Sequence, residues 1–418
     1  MKEKLCEKLE CTGCSACVNA CGHSCITMIT SEEGFIYPSI DAEKCIDCNQ
    51  CSNACPVLER PSVSERIYPV SYASIIEDKE ILMNSASGGM FRAFADQWDG
   101  SVYGAYMLED YSVHIKRAES VDDLKAMQGS KYVFSNMDEI YKTIKLELIN
   151  NQNVLFFGLP CQVAGLRKYL KIEYANLLCV DIVCHGTPST KLYQDYIMSL
   201  EREYGKIDTI CFTDKSRRWV PLIERNTRIE VNDKAITRDF TEDPFMTMFI
   251  NEWIYRESCY KCKFADIYRM GDITIGDFFG LGIRKKYNDD ASRGVSQVLI
   301  NTIKGKNFFD SLKGIRSTHR ELEECLLGNK NLWKPSHRPE VRSHIYSEYI
   351  EYGFDYLVKH YCEPYSNTLS TKLKYKMRRY MPRLVTRLIL RQSQKICFSE
   401  SLMIKLQDMK NKLNAEER

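Results

Sequence analysis

Short apolar runs and longer amphipathic stretches alternate along the chain, and its middle carries the clearest of both. Asn153-Val-Leu-Phe-Phe-Gly and Leu177-Leu-Cys-Val-Asp-Ile-Val-Cys184 read as strands buried on both faces. Between them, Pro160-Cys-Gln-Val-Ala-Gly-Leu-Arg-Lys-Tyr-Leu reads as a helix with proline in its first turn. Strand, helix and strand together predict a βαβ unit. Cys161 and Cys184-His185-Gly186 then fall just beyond the carboxyl ends of neighbouring parallel strands, the edge where open α/β sheets bind ligands. A helix N-terminus at Cys161 is expected to favour its thiolate.

Upstream, Val57 to Tyr68 lacks apolar periodicity, contains Pro61 and runs into Pro69, and is expected to be a linker. Val70-Ser-Tyr-Ala-Ser-Ile-Ile alternates like a strand, and Asn84-Ser-Ala-Ser-Gly-Gly-Met-Phe-Arg-Ala-Phe-Ala leads from a polar loop into a helix. Ser87 is the expected N-cap, with Gly88 and Gly89 letting a ligand approach the backbone. Such a helix start suits a phosphate; the alternative is an ordinary capped helix. Ser101-Val-Tyr-Gly-Ala-Tyr and Ser112-Val-His-Ile-Lys-Arg-Ala are expected to pair as strands. The polar loop Gln128-Gly-Ser-Lys-Tyr-Val then offers Lys131 to a phosphate or an acidic ring edge, or simply to solvent. Downstream, Gly271-Asp-Ile-Thr-Ile-Gly-Asp-Phe-Phe-Gly is strand-like.

These elements predict an α+β or α/β multidomain chain: a cysteine-rich, bacterial-ferredoxin-like N-terminal domain, a mixed α/β body with a βαβ unit, and a helical basic tail. The expected boundaries are 1–58, 70–150 and 151–320 for the domain and the two parts of the body, and 321–418 for the helical extension. In that extension Arg383, Arg387, Arg391 and Lys395 recur every four positions after Pro382, with Leu384, Val385, Leu388 and Ile389 between them. A basic amphipathic helix of this kind can lie on an anionic membrane face, dock on an acidic partner, or pack on its own body.

Composition changes this picture little: hydrophobic residues at 44% and charged residues at 27% are ordinary for a soluble globular protein. The formal charge of +2 hides an uneven spread, because residues 371–418 hold 13 Lys/Arg against 4 Asp/Glu and leave the rest at −7. No apolar h-region follows Met1 and no window nears the ~20 apolar residues of a membrane span, which predicts a cytoplasmic protein, with peripheral contact at the inner membrane face through the basic helix. No nucleic-acid motif is present. Neither G-x-G-x-x-G nor G-x4-G-K-[ST] occurs, so no Rossmann nicotinamide site or P-loop is expected.

The cysteines change it greatly. An odd count of 19, in a chain expected to be cytosolic, points to metal ligation rather than disulfides. Cys11, Cys14, Cys17 and Cys21, then Cys45, Cys48, Cys51 and Cys55, each follow C-x2-C-x2-C-x3-C at a constant offset of 34 residues. That is the bacterial ferredoxin run for 4Fe-4S clusters, in which the fourth cysteine ligates the opposite cluster. Cys11, Cys14 and Cys17 are therefore paired with Cys55, and Cys45, Cys48 and Cys51 with Cys21. Gly13 eases the tight loop, and each fourth cysteine is expected to enter a short helix. Zinc is the alternative, since C-x2-C pairs also make zinc sites, but two complete quartets in register argue for iron. Gly22 stands where the motif usually has proline, whereas Cys55 keeps Pro56. Cys25 reads as a small buried side chain. Cys161, Cys184, Cys259 and Cys262 lie near glycine-rich turns and make up a further quartet, whereas Cys179, Cys211, Cys325, Cys362 and Cys397 read as packing residues.

With these motifs assembled, the chain resembles the coenzyme F420 hydrogenase/dehydrogenase beta-subunit family. The resemblance rests on Ser87-Gly-Gly, Gly129-Ser-Lys-Tyr, Gly158-Leu-Pro-Cys-Gln, Cys184-His-Gly, Cys259-Tyr-Lys-Cys, Gly276-Asp-Phe-Phe-Gly and Gly294-Val-Ser-Gln-Val-Leu-Ile-Asn-Thr, in that order, over roughly residues 1–305. Plant 7-hydroxymethyl chlorophyll a reductase is similar in its parts. The resemblance implies iron–sulfur clusters beside a flavin, usually FAD, with hydride exchange to coenzyme F420 or another small organic acceptor. It makes Ser87, Gly88, Gly89 and Lys131 flavin-site candidates, and Cys161, Cys184, Cys259 and Cys262 ligands of a third cluster. Two functions follow: an oxidoreductase drawing on a redox partner such as ferredoxin or an oxidoreductase subunit, or a non-catalytic electron-transfer subunit or adaptor.

Overall fold

The computed structural model describes residues 5–215, 226–240, 242–368 and 400–416. Its two central apolar runs are strands β7 (Val154–Gly158) and β8 (Leu177–Ile182), parallel neighbours joined by the helix Pro160–Leu170. Side chains alternate across them, as the two-residue period of a strand demands. Val154, Phe156, Leu177 and Cys179 face one layer with the helices Ile140–Ile149 and Pro160–Leu170. Leu155, Phe157, Leu178 and Val180 face the other, with the helices Met90–Ala95 and Ile303–Ser311.

The remaining strands are β1 (Ile26–Thr30), β2 (Ile36–Ile40), β3 (Arg66–Ile76), β4 (Ser101–Met107), β5 (Val113–Arg117), β6 (Ser135–Asn136), β9 (Thr209–Cys211), β10 (Asn226–Val231), β11 (Lys234–Asp239), β12 (Ile273–Asp277), β13 (Ser296–Thr302) and β14 (Ile315–Arg320). Nine of them form one mixed sheet in the order β14-β3-β13-β12-β8-β7-β4-β5-β6. Its centre, β12, β8, β7 and β4, is parallel, and β4 and β5 pair antiparallel as expected. Because β3 to β6 and the later strands β7, β8 and β12 to β14 interleave in it, the segments 70–150 and 151–320 share a single sheet. A second sheet, β11-β10-β9, packs with the helices Thr190–Tyr204 and Pro244–Ile250 in an aromatic cluster that includes Tyr196 and Phe245, rings stacked at 5.1 Å.

One expectation about the chain between domains is revised. β3 begins at Arg66, so the last part of the expected linker is strand. Pro69 is tolerated because β14 pairs only with Ser71–Ile76 and the β13 register shifts between Ile300 and Thr302, which frees the ladder around the proline. The C-terminal helix Glu400–Glu416 buries Leu402, Leu406 and Met409 in a cluster with Ala73, Ile75 and Leu326, so this part of the extension packs on the body. The basic repeat Arg383 to Lys395 lies outside the described residues. Among the described residues no helix is long and apolar enough to cross a membrane.

The internal repeat of the first domain is a repeat of backbone as well as of cysteines. Gly13 and Asp47 have φ of 74° and 60°, and Ser15 and Asn49 both have φ of 59°. These left-handed residues turn each C-x2-C-x2-C loop before a short helix, Ala16–Ala20 or Gln50–Asn53. The antiparallel hairpin β1-β2 lies between the halves. The domain rests on the body through the Pro160 helix, where a Cβ on Gly165 would stand 3.2 Å from Cys14 Sγ, and through Asn19 Nδ2, which donates to Asp138 O at 2.8 Å.

Asp181, fully buried at the end of β8, gathers the segment behind Cys262. It accepts from the amides of Met270 and Gly271, both at 3.0 Å, from Thr274 Oγ1 at 2.6 Å and from Arg269 Nη2 at 3.2 Å. Arg269 in turn donates to Phe264 O and Ile182 O. Breaking a buried pair leaves a lone charge, so Asp181→Ala is expected to cost about 3–5 kcal/mol in a denaturant titration. Asp181→Ala combined with Arg269→Met should recover part of that loss.

Candidate electron-transfer and cofactor site

The parallel strand ends bring the body quartet together. Cys161 enters in the first turn of the Pro160 helix after β7, Cys184 follows β8, and Cys259 and Cys262 come from the short turn Glu257–Tyr260 and the loop held by Arg269. All four line one small cavity of about 40 Å³. The expected thiolate-favouring environment at Cys161 is reversed: burial, then the charges of Cys262 and Cys184, push its thiol well above the ordinary range. Burial also raises Cys184 and Cys262, and lifts Cys259 to about 11. Four thiols that oppose one another's ionisation are a donor set that becomes thiolate when a cationic centre binds.

The repeat cysteines sort into the two crossed sets. Cys21, Cys45, Cys48 and Cys51 line one cavity of about 20 Å³. Cys17, raised chiefly by burial, also feels Cys14, Cys11 and Cys55. The helices fall before the fourth cysteines rather than after them, and Cys21 is itself a C-cap. Cys25 is buried as expected, yet its Sγ lies 3.3 Å from Cys21 Sγ and it lines the same cavity. Cys6, which sequence reasoning passed over, plays the matching part in the other set. Its thiol hydrogen bond is the largest influence pulling Cys11 and Cys55 down to about 6. Burial holds Cys14 at about 12.

Among the described residues no three His, Cys, Asp or Glu side chains converge tightly enough for a single metal ion. A cubane of four irons takes ligands spread more widely. The all-sulfur donor sets fit iron–sulfur clusters. Of the cysteines assigned to packing, Cys179, Cys325 and Cys362 are buried, Cys211 is exposed, and Cys397 lies outside the described residues.

A second, far larger cavity of about 690 Å³ adjoins the body quartet. Leu159, Cys184, His185, Gly186 and Thr187 line both, so a wall one segment thick separates them. Ser87, Gly89 and Lys131 line the large cavity. Ser87 is not the helix cap, because its Oγ donates to Val295 O at 2.8 Å. The cap is Gly89, with φ of 85°, and the helix Met90–Ala95 is only six residues long. Gly88 turns toward the sheet: its amide donates to Ser296 Oγ at 2.9 Å, and a Cβ there would lie 2.2 Å from Ser74 O.

Lys131 closes the helix Val121–Met127 by donating to Met127 O at 3.0 Å and Gln128 O at 3.2 Å, and burial lowers its pKa to about 8. Lys215, missed in the sequence because no motif surrounds it, supports the segment leading into Ser87-Gly88-Gly89. Its ammonium donates to Leu82 O at 2.7 Å and to Ser87 O, and burial lowers it to about 7. Aromatic rings also line the cavity, with Tyr132 edge-on to Phe249 at 4.7 Å. The cavity thus joins an apolar, aromatic floor to a few polar groups, the composition of a cofactor site.

Two protein-family models match the chain. Residues 151–322 match the family described as the C terminus of the coenzyme F420 hydrogenase/dehydrogenase beta subunit. Residues 10–58 match the 4Fe-4S dicluster domain. The coenzyme F420-dependent sulfite reductase of Methanocaldococcus jannaschii is 21% identical over 318 residues, which cover 66% of this chain and 47% of that protein. The chain therefore spans about half the length of the curated relative it matches. A chain from the xenon-derivatised F420-reducing NiFe hydrogenase complex of Methanosarcina barkeri is 18% identical, with a TM-score of 0.42, over 72% of this chain and 94% of that one.

Lys131 carries its charge below about 8 and loses it above. An anionic ligand of this cavity, tested with FAD, is therefore expected to bind more weakly as pH rises through that value. Flavin fluorescence titrated at several pH values should show the step, and Lys131→Met should flatten it. Cys262→Ala is expected to lower iron per chain after anaerobic reconstitution; iron equal to the parent's would reduce Cys262 to a structural residue.

Proposed function

The chain belongs to the coenzyme F420 hydrogenase/dehydrogenase beta-subunit family and carries a 4Fe-4S dicluster domain, and from that premise we propose an iron–sulfur flavoprotein oxidoreductase acting on coenzyme F420 or another small organic substrate. Clusters pass single electrons, a hydride acceptor takes two together, and a flavin exchanges both kinds, which is the chemistry these groups supply when bound.

The chain's own residues account for the rest. Cys21, Cys45, Cys48 and Cys51 would hold the outer cluster, with Cys48 exposed toward a redox partner such as ferredoxin or an oxidoreductase subunit. Cys11, Cys14, Cys17 and Cys55 would hold the next, against the Pro160 helix; Thr12 of that loop lines the Cys161 cavity. Cys161, Cys184, Cys259 and Cys262 would hold a third. Ser87, Gly89 and Lys131 would contact FAD on the polar side of the large cavity, and its aromatic floor keeps water from the reacting ring. The observation that carries the reading is the shared wall Cys184–Thr187, which sets a thiol quartet directly against a cofactor-sized cavity. A relay protein without a reactive centre needs no such cavity, so the catalytic reading is preferred over an adaptor.

Anaerobic purification with iron, sulfide and flavin counted per chain tests this directly. Three clusters and one flavin are expected, with turnover of reduced coenzyme F420 or of a reduced ferredoxin. Cys48→Ala should lose about a third of the iron, keep its flavin, and lose reduction by the external protein donor. A colourless preparation, or zinc in place of iron, would refute the proposal.

A further inference from the structure

Arg256 lies between the dicluster domain and the body, and nothing in the motifs marks it. It is 1% exposed, its Nε donates to Cys11 O at 2.7 Å, and its Nη2 donates to Ile36 O. On its other side it lines the small cavity of Cys161, Cys184, Cys259 and Cys262. Its Nη1 is buried with no hydrogen-bond partner. The loop at Gly13 is shaped around it: a Cβ there would come within 2.9 Å of Nη1.

Among the described residues this guanidinium has no carboxylate. The nearby acids are occupied: Glu33 pairs with Arg342 at 2.8 Å, and Glu257 with Arg338 at 2.9 Å. The rings of Tyr37 at 4.3 Å and Phe35 at 5.4 Å attract the cation but carry no net charge. A buried unpaired charge is strongly unfavourable, so the structure requires an anion at this place.

We propose that Arg256 is the shared counter-ion of two anionic iron–sulfur clusters, the one held by Cys11, Cys14, Cys17 and Cys55 and the one held by Cys161, Cys184, Cys259 and Cys262. It is a positioning residue that docks one cluster site against the other and raises both reduction potentials. The inference rests on the third cluster proposed above. Each added electron makes a cluster more negative, so a fixed positive charge beside it favours the reduced state. The outer cluster has no buried arginine beside it among the described residues, its Lys44 being exposed and paired with Asp41 at 2.8 Å, and stays lower. The result is a potential step that draws electrons inward toward the cavity.

The test is an EPR-monitored redox titration of the full chain after anaerobic reconstitution, comparing wild type, Arg256→Gln and Arg256→Lys, with iron and sulfide counted for each. In Arg256→Gln the reduced-to-oxidised ratio of both inner clusters at a fixed potential is expected to fall at least tenfold, about 59 mV for one electron. The outer cluster should not move. Arg256→Lys keeps the charge and should recover most of the shift. Joint loss of the two inner clusters from Arg256→Gln, with the outer cluster retained and Arg256→Lys loaded, supports the same role. Unmoved potentials in loaded Arg256→Gln, an equal shift of all three clusters, or Arg256→Lys failing as Arg256→Gln does, overturns it. A wild-type chain holding iron for only two clusters overturns the third site and this inference together, whereas three clusters with unmoved potentials overturn Arg256 alone.

Discussion

Thiols buried in groups of four oppose one another's ionisation, and that constraint organises this chain. Cys161, Cys184, Cys259 and Cys262 all have their ionisation pushed upward by burial, and the charge of each neighbour adds to the effect at Cys161. A cationic centre that binds all four removes both penalties at once. The surrounding architecture serves to keep the four in reach of one another. Two parallel strands end side by side, a helix starts at Pro160, and Asp181 with Arg269 ties the segment after Cys262 to the same sheet edge.

The same sheet edge makes the large cavity. The ends of β7, β8 and β12 and the segments after them line the hollow, as at the carboxyl edge of other open α/β sheets. Cys184 to Thr187 bounds the hollow on one side and the thiol quartet on the other. One stretch of backbone therefore belongs to both, and any movement of the quartet is felt by whatever occupies the cavity. The dicluster domain enters this arrangement through the other side of the Pro160 helix, at Gly165, where only a residue without a side chain lets Cys14 approach.

Several sequence readings were overturned or left incomplete for reasons of the same kind. The Ser-Gly-Gly turn reads as a helix cap open to a ligand, yet only Gly89 caps; Ser87 and Gly88 spend their donors on β13 and the residue before it, and Gly88 is glycine because Ser74 O and Ser296 N leave no room for a Cβ. Lys131 does face the cavity but also closes a helix, which a pattern of residue types cannot reveal. Cys25 and Cys6 look like isolated small residues in the sequence, while in space each stands against a ligand set.

What the sequence determined by itself is local: the loop geometry of each C-x2-C-x2-C run, set by spacing and by left-handed positions 34 residues apart, and the buried runs on either side of the Pro160 helix. Such features depend on contacts within a few residues, so residue order is enough to specify them. Only the tertiary structure decided which distant thiols share a cavity, that Arg256 lies beside two of these thiol sets with no carboxylate among the described residues, and that one stretch of backbone borders both the body quartet and the large cavity. Those facts depend on burial, and burial arises only when segments hundreds of positions apart exclude water from the same place.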